Sequence, residues 1–299
     1  MRILVPVDGS ENSLHAVEFI ASRSTLLGSK PEIEVLNVQL PLPARACRLV
    51  GQDSLTRYYE DEAEKVFEPA RRVLSKVGFQ ANESYIVGEA SDSIAAEAEK
   101  LNVDLICMGS RGQSALKGLF FGSVSNGVLA KSKCPVLMIR GKSAPKGDAL
   151  RVGIAVDGSK YGKAAVRYAL KHISLFGTGA QFYLLNVVSD YAGAVMPDMA
   201  GMALPALSEE EVLELQKDEF NEAVEPLRPL FAKAAVKAKE ICLVGNAGDE
   251  ISAFAKKKKL DLVVMGSHGY GRFKAAVMGS TATRIAAESE VPLLIIRQA

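Results

Sequence analysis

Residues 1–19 of the chain read MRILVPVDGSENSLHAVEF, and a second version of this stretch, LRVGIAVDGSKYGKAAVRY, occupies residues 150–168. In both versions a short apolar run ends in Val-Asp-Gly-Ser. Apolar residues at helical spacing then follow, such as Leu14, Val17 and Ala21 in the first version. A buried strand followed by a helix is the building unit of α/β proteins. A chain of 299 residues that repeats this unit at an offset of 149 is therefore predicted to hold two tandem domains.

The repeat also predicts where the chain divides. A later landmark, VGEASD at 87–92, returns as VGNAGD at 244–249, at an offset of 157 instead of 149. The second copy therefore has eight extra residues (157 − 149) between its second and third strands. The segment GKSAPKGDA has the Gly, Pro, Ser and Lys content of a linker. We predict a first domain at 1–140, a linker at 141–149 and a second domain at 150–299.

Five short apolar runs in each copy have the character of strands, and helical patterns separate them. In the first copy these runs are ILVPV, EVLNV, SYIV, DLICM and PVLMI. Near-continuous apolar strands that alternate with helices form a parallel sheet covered on both faces, with right-handed crossovers. The sequence therefore predicts an α/β protein made of two tandem Rossmann-like domains. In open sheets of this kind, ligands bind beyond the carboxyl ends of the strands, where the strand order reverses.

The composition argues against several classes of protein. The net charge is +1 and neither half is strongly basic, so we expect no nucleic-acid partner. No apolar run approaches the roughly 18 residues of a membrane span, and no secretory leader pattern is visible. We therefore expect a cytoplasmic protein with no membrane partner. The four cysteines form no CxxC pair and accompany only three histidines, so neither a disulfide framework nor a metal site is expected.

Two glycine-rich segments follow the fourth predicted strand of each copy: MGSRGQSALKGLFFGSVS at 108–125 and MGSHGYGRFKAAVMGSTA at 265–282. Their shared pattern is G-x2-G-x9-G-S. Glycine lets another backbone or a ligand approach closely, and the final Gly-Ser opens a helical segment whose N-terminal amides suit a phosphate. The alternative is that these glycines only shape two turns. Repetition of the full spacing, together with Asp8 and Asp157 at the end of each first strand, favours a binding site.

Other nucleotide-binding signatures are absent, because the chain has neither GxxxxGK[ST] nor GxGxxG after its first strand. The combination that is present resembles the universal stress protein family in its tandem form, and the long glycine motif resembles the ATP-binding branch of that family. The resemblance covers both copies nearly end to end, although residues 39–58 and 188–208 cannot be aligned with each other. It implies a five-stranded parallel sheet in each domain. It also implies a pseudo-twofold pairing of the domains through their fifth strands, Val136–Arg140 against Leu293–Arg297.

The resemblance further implies an adenine nucleotide in each copy, ATP or alternatively ADP or AMP. Asp8 and Asp157 would accept hydrogen bonds from the ribose hydroxyls, and the backbone of Val38 and Val187 would meet the adenine edge. The first glycine of each motif would pass close to the ribose. The methionine before it either contacts the base or packs in the core. The remaining candidate residues on this side of the site are Val7, Met108 and Gly109 in the first copy and Val156, Met265 and Gly266 in the second.

On the phosphate side, the resemblance implies contacts with the second glycine of the motif and with the amides that open the following helix. Serine and threonine hydroxyls would add donors, and Mg2+ or Mn2+ would be held by the phosphates and water. Arg111 and His268 share one motif position, where they either direct charge at the phosphates or lie in solvent. The other phosphate-side candidates are Gly112, Gly122, Ser123, Val124 and Ser125 in the first copy and Gly269, Gly279, Ser280 and Thr281 in the second.

Three functions remain open at this point. The first is an ATP-binding regulatory protein of the stress response, whose nucleotide occupancy changes its stability or assembly. The second is a slow ATP hydrolase or a phosphoryl or adenylyl transferase, for which the sequence offers no repeated general base and no lysine at a phosphate-clamp position. The third is a scaffold for protein partners with unused nucleotide sites. A homodimer of two tandem chains is compatible with each of these three functions.

Overall fold

A computed structural model describes most of the chain. The described residues are 1–25, 27, 31–44, 47, 51–110, 122–141, 144–145, 147–191, 207–268 and 279–297.

The first half alternates strands and helices, as the apolar runs predict. Its strands are β1 (Arg2–Val7), β2 (Glu32–Gln39), β3 (Ala81–Val87), β4 (Leu105–Gly109) and β5 (Val136–Ile139). Its helices are α1 (Glu11–Ala21), α2 (Gln52–Ser75), α3 (Ala90–Lys100) and α4 (Ser123–Lys131).

The second half repeats this order, with two short 3-10 turns added at Ile173–Leu175 and Glu225–Leu227. Its strands are β6 (Arg151–Ala155), β7 (Gln181–Val188), β8 (Ala238–Val244), β9 (Leu262–Gly266) and β10 (Leu293–Ile296). Its helices are α5 (Lys160–Lys171), α6 (Glu209–Val224), α7 (Arg228–Lys233), α8 (Ala247–Lys258) and α9 (Ser280–Glu288).

The ten strands of the described residues form one sheet, in the order β3-β2-β1-β4-β5-β10-β9-β6-β7-β8. Each half is a parallel sheet of five strands, and the halves meet where β5 runs antiparallel to β10. At this junction Met138 pairs with Leu293 and Leu137 pairs with Leu294. The predicted α/β class, with five strands in each half and pairing through the fifth strands, is confirmed.

Side chains of each strand alternate between two buried layers. In β1, Ile3 and Val5 join the layer covered by α1 and α2, while Leu4 joins the layer covered by α3 and α4. The second half repeats this arrangement, with α5, α6 and α7 on the first face and α8 and α9 on the other. Both layers contain residues of both halves, for example Leu137 and Leu294 in the first. The core therefore runs without interruption through the junction.

Side-chain contacts outside the sheet also join the halves, among them those of Arg23 and Tyr168. The guanidinium of Arg23 is completely buried and donates to the carbonyls of Gly147 (2.6 Å) and Asp148 (2.9 Å), just before β6. Burial lowers the pKa of this arginine from its usual value, and Asp148 opposes that effect. The hydroxyl of Tyr168 on α5 donates to the carbonyl of Asp104 in the first half, at 3.0 Å. The chain entering the second half is thus fixed against the first.

No helix in the described part of the chain combines the length and the apolar character that crossing a bilayer requires.

Candidate functional site

The strand order of each half reverses between two neighbouring strands, and the predicted site residues flank that reversal. In the first half the neighbours are β1 and β4, and in the second they are β6 and β9. Asp8 follows β1 and Gly109 ends β4, while Asp157 lies just beyond β6 and Gly266 ends β9. The structure therefore brings the carboxylate and the first motif glycine of each copy to one crevice, at the position where open α/β sheets bind ligands.

The Val-Asp-Gly-Ser turn fixes each carboxylate. Oδ1 of Asp8 accepts from the backbone N–H (3.0 Å) and the hydroxyl (2.6 Å) of Ser10, and Oδ1 of Asp157 accepts from the N–H of Ser159 (3.1 Å). The two serines are the N-caps of α1 and α5. In the first copy Gly9, which lies between Asp8 and Ser10, has φ of 80°, a left-handed conformation that favours glycine. Each aspartate is therefore held at the mouth of the crevice by its own turn.

The glycine that closes each motif begins a helix, as predicted. Gly122 and Gly279 are the N-caps of α4 and α9, and neither helix has a side-chain cap. The first intrahelical bonds run from Asn126 N–H to Gly122 O (3.0 Å) and from Thr283 N–H to Gly279 O (3.1 Å). The amides of the first helical turn thus have no partner within the helix, which is the usual condition of an anion-binding helix end. In the first copy these amides belong to Ser123, Val124 and Ser125.

The amides of the capping glycines have a different role from the predicted one. The N–H of Gly122 donates to the carbonyl of Ser110 at 2.8 Å, and the N–H of Gly279 donates to the carbonyl of Ser267 at 3.0 Å. Each bond closes the glycine-rich loop on the strand that precedes it. These two amides are therefore hydrogen-bonded within the protein. The amides that could hold a phosphate begin at the next residue of each helix, Ser123 and Ser280.

Ser125 also departs from its predicted role. Its hydroxyl is buried and donates to the carbonyls of Ser110 (3.0 Å) and Gly109 (3.3 Å), which ties α4 to the end of β4. The matching residue of the second copy is Ala282, which has no hydroxyl and is fully buried. By contrast, the side chains of Ser123 and Ser280 are exposed at the helix mouths, and that of Thr281 is half-buried.

The first glycine of each motif is required by packing. A Cβ on Gly109 would lie 2.6 Å from the carbonyl oxygen of Asn12, in the first turn of α1. A Cβ on Gly266 would lie 2.5 Å from the Cβ of Tyr161, in the first turn of α5. The helix that follows the first strand passes so close that no side chain fits. This packing contact is enough to explain why glycine occurs at this position, even if no ligand binds. The resemblance additionally implies that the ribose lies close to the same glycine.

Gly279 is different, because the described residues around it leave room for a side chain. A Cβ on Gly279 would be 3.5 Å from the carbonyl oxygen of Ser267 and 3.8 Å from the Cα of His268, which are ordinary contacts. Its φ of −63° suits any residue. Nothing within the described fold demands glycine at this position. A ligand that lies against the helix end would demand it.

The apolar candidates separate onto the two faces of the sheet. In the first copy Val38, Met108 and Val124 meet in one layer, beside α3 and α4. Val187 and Met265 take the same places in the second copy. Both methionines are buried, as core packing predicts. The side chains of Val7 and Val156 belong to the opposite layer, so only their backbones face the edge of the sheet beside the aspartates.

The middle of each glycine motif lies outside the described residues, which include neither Arg111 and Gly112 nor Gly269. His268 is described and lies directly after β9. Its ring is 5.5 Å from that of Tyr161 between centroids, and its Nδ1 is 3.0 Å from the hydroxyl oxygen of Ser267. The equivalent of Tyr161 in the first copy is Asn12, so the two crevices differ at this position of the helix.

Two buried asparagines belong to the site although the sequence analysis did not select them. Nδ2 of Asn37 on β2 donates to the carbonyl of Val7, and Nδ2 of Asn186 on β7 donates to the carbonyl of Val156, both at 2.9 Å. Both side chains are 4% exposed, and the Oδ1 atoms have no hydrogen-bond partner among the described residues. Each asparagine fixes the strand end that precedes the site aspartate. The signal in the sequence is the triplet Leu-Asn-Val, which occurs at 36–38 and again at 185–187, since asparagine is rare inside a buried strand.

Across the described residues, no group of three or more histidine, cysteine, aspartate or glutamate side chains could hold a metal ion.

Comparison with known proteins agrees with the repeated architecture. The model of the Universal stress protein family matches residues 1–140 and again residues 150–297. A universal stress protein of Mycolicibacterium smegmatis is 26% identical over 303 residues, which cover 99% of this chain and 96% of that protein. Universal stress protein YxiE of Bacillus subtilis is 32% identical over 147 residues, which cover 46% of this chain and 98% of that protein.

A crystal structure of a universal stress protein from Archaeoglobus fulgidus has the same fold along its whole length. It superposes with a TM-score of 0.73 at 24% identity, covering 100% of this chain and 98% of that chain. Two successive matches to one family model, which together span nearly all residues, show that the chain belongs to the universal stress protein family.

Proposed function

We propose that the chain is a regulatory nucleotide-binding protein that holds ATP in the crevice of each half, with ADP or AMP as the alternative ligands. The observation that carries the proposal is the helix end at each crevice. There, the first-turn amides have no partner within the helix and face the crevice that holds the aspartate, and at Gly279 no described residue lies close enough to exclude a side chain. A phosphate suits such a helix end, since both the amides and the helix dipole favour negative charge.

The residues of this chain would divide the ligand between them. Asp8 and Asp157 would accept hydrogen bonds from the ribose, and the backbone at Val38 and Val187 would meet the adenine. The amides of the first helical turn would hold the phosphates. In the second copy these amides are those of Ser280 and Thr281 together with the residue after them. Mg2+ or Mn2+, when bound through the phosphates, would offset their charge.

Binding of this kind provides a signal without chemistry. A ligand that binds only the folded state stabilises it by about 2.7 kcal/mol at a hundredfold excess over Kd. In this protein that stabilisation would act on a sheet shared by both halves. Occupancy of either site would therefore change the stability of the paired domains as a unit, which suits a regulatory role in the stress response.

A slow hydrolase or a phosphoryl or adenylyl transferase is the second candidate function. The first-turn amides would also hold the phosphates in such an enzyme. A turnover assay with radiolabelled ATP tests this function, and it is favoured only if product is detected. A scaffold for protein partners is the third candidate, and it requires that the unmodified chain bind no nucleotide.

The test removes one amide from each cradle without disturbing the helix. Ser123 and Ser280 occupy the first helical position, where proline is well tolerated, and Gly122 before the first has the extended backbone that proline needs (φ −71°, ψ 162°). Ser123→Pro and Ser280→Pro each delete an N–H together with a hydroxyl. Ser123→Ala and Ser280→Ala delete the hydroxyl alone, so they are the matched controls.

At a Mg-ATP concentration just sufficient to fill both sites of the unmodified chain, native mass spectrometry should count two nucleotides on that chain and mainly one on either proline variant. Calorimetry should show ATP affinity at the altered site falling about tenfold or more, since a hydrogen bond to a charged phosphate is lost. The alanine controls should lose less. Competition with ADP, AMP and cAMP ranks the ligands; cAMP is included because one solved universal stress protein is described in complex with it. Two bound nucleotides on both proline variants would contradict the amide cradle, and none on the unmodified chain at millimolar ATP would favour the scaffold.

A further inference from the structure

An arginine follows the fifth strand of each half, at equivalent positions of the repeat. Arg140 comes directly after β5 and Arg297 directly after β10, at the offset of 157 that relates the two glycine motifs. Because β5 and β10 lie side by side and run antiparallel at the centre of the sheet, each arginine emerges next to the opposite half. Arg140 is buried and Arg297 is half-buried.

Each arginine binds the carboxyl-terminal end of a helix in the opposite half. Nη2 of Arg140 donates to the carbonyl of Ala286, in the last turn of α9, at 2.6 Å. Nε of Arg297 donates to the carbonyl of Ser132 at 3.3 Å and its Nη2 donates to the carbonyl of Ala130 at 3.4 Å, both at the end of α4. The last carbonyls of a helix have no partner within it, and a cation there also complements the helix dipole.

These two helices are the ones whose opposite ends face the crevices. Each has nine residues, so its two ends are only about 13 Å apart. A short helix moves as one body, so a contact that fixes its last turn also fixes the direction in which its first-turn amides point. The arginine of one half thereby holds the phosphate-facing helix of the other.

The residue before each arginine is hydrogen-bonded to the start of the glycine-rich loop of its own half. The residue before Arg140, Ile139, accepts at its carbonyl from the N–H of Ser110 at 3.0 Å. The residue before Arg297, Ile296, accepts from the N–H of Ser267 at 2.9 Å. Both serines directly follow the first motif glycine. One short segment therefore contacts the loop of one site and the helix of the other.

We propose that Arg140 and Arg297 are crossed positioning residues: Arg297 sets the nucleotide affinity of the first-half site through α4, and Arg140 sets that of the second-half site through α9. This inference rests on the proposed nucleotide-binding function. It makes a complete site depend on both halves of the chain, which explains in physical terms why two binding domains are kept in one continuous sheet.

The test uses Arg297→Gln in the full chain, because this arginine is the less buried of the two. To resolve the sites, ATP affinity is measured in the Ser280→Pro background, which leaves the first-half site, and in the Ser123→Pro background, which leaves the second. Arg297→Gln should weaken ATP binding about threefold to tenfold in the first background and leave the second unchanged. Arg297→Lys, which keeps a cationic donor, should restore most of the affinity.

Two further measurements separate positioning from general damage. Hydrogen–deuterium exchange without nucleotide should rise in α4 and not in α9 when Arg297 is replaced. The matched control is Lys133→Gln, which removes an exposed cation near the same end of α4. Lys133 pairs with Glu99 at the surface, so this substitution should leave ATP affinity unchanged. Arg140→Gln should reverse the pattern, acting on α9 and on the second-half site.

The outcomes are distinguishable. Unchanged affinity in both backgrounds, or a loss at the site in the same half as the replaced arginine, overturns the inference and leaves the proposed function standing. An equal loss at both sites also overturns it, because that pattern reports only general destabilisation. Absence of ATP binding by the unmodified chain overturns the proposed function and this inference together.

Discussion

At the scale of single residues, the repeated glycines answer two different physical requirements. Gly109 and Gly266 lie where the first turn of a helix crosses the end of a strand, so close that a Cβ would overlap backbone atoms. At Gly279 the nearest atoms of the described residues would lie 3.5 and 3.8 Å from a Cβ, which are ordinary contacts. One motif therefore contains glycines that serve packing and a glycine that suits a ligand, and only the contacts around each one tell them apart.

This distinction predicts opposite behaviour for two alanine substitutions in the second half. Gly266→Ala should lower the free energy of unfolding by about 1–3 kcal/mol without nucleotide, because its Cβ would lie 2.5 Å from that of Tyr161. Gly279→Ala should change it by no more than about 0.5 kcal/mol but weaken ATP binding at the second-half site. Urea unfolding and calorimetry measure the two effects. Normal ATP affinity in Gly279→Ala would show that no ligand occupies the space beside this glycine.

At the scale of elements, equivalent helices of the two halves solve the same capping problem with different chemistry. Helix α3 is capped by Glu89, whose Oε2 accepts from the N–H of Asp92 (2.9 Å) and the hydroxyl of Ser91 (2.7 Å). Helix α8 is capped by Asn246, whose Oδ1 accepts from the N–H groups of Gly248 (3.0 Å) and Asp249 (3.4 Å). The first cap is ionised and the second is neutral, so only the first depends on pH.

Hydrogen bonds from the Asp92 N–H and then from the Ser91 hydroxyl lower the pKa of Glu89 from 4.5 to about 2. A lowered pKa means that the cap stabilises the fold fully above about pH 4.5 and loses this contribution as the pH falls towards 2. Glu89→Asn should keep a cap and remove the pH dependence. The carboxylate is exposed and screened by water, so the contribution is at most about 1 kcal/mol.

The measurement is the difference in free energy of unfolding between the unmodified protein and Glu89→Asn, followed by urea titration from pH 6 down to pH 3. The advantage of the unmodified protein should shrink as the pH falls. A difference that stays constant or grows towards low pH would contradict the assignment of Glu89 as an ionised cap.

At the scale of the whole molecule, the two halves share one sheet and two continuous buried layers. The junction is short, since only Val136–Ile139 and Leu293–Ile296 meet there, but its side chains are almost completely buried. Arg23 and Tyr168 add contacts outside the sheet. We therefore expect the chain to unfold as one cooperative unit, not domain by domain.

Leu294→Ala tests this expectation at the centre of the junction. Leu294 is fully buried opposite Leu137, so truncating it should cost about 2–5 kcal/mol. Scanning calorimetry should show a single transition in both proteins, shifted as a whole to lower temperature in the variant. Two separate transitions, of which only one moves, would contradict a shared core.

The sequence by itself determined the repeat, the α/β class, the alternation of strands and helices, and the helix starts at Ser123 and Ser280. It could do so because periodicity and capping residues act within a few positions of each other along the chain. It also placed the aspartates and the glycine motif at one edge of the sheet, since the carboxyl ends of parallel strands share an edge. The pairing through the fifth strands followed from the family resemblance.

Only the tertiary structure decided which polar atoms of that edge are hydrogen-bonded within the protein. In the folded protein the Gly122 amide and the Ser125 hydroxyl donate to carbonyls at the end of β4, and the Asn37 amide donates to the carbonyl of Val7. The tertiary structure also carried Arg297 to a helix more than 160 residues away in sequence. Such contacts join segments that are distant along the chain, so they depend on how close the packed elements come, which no local pattern encodes.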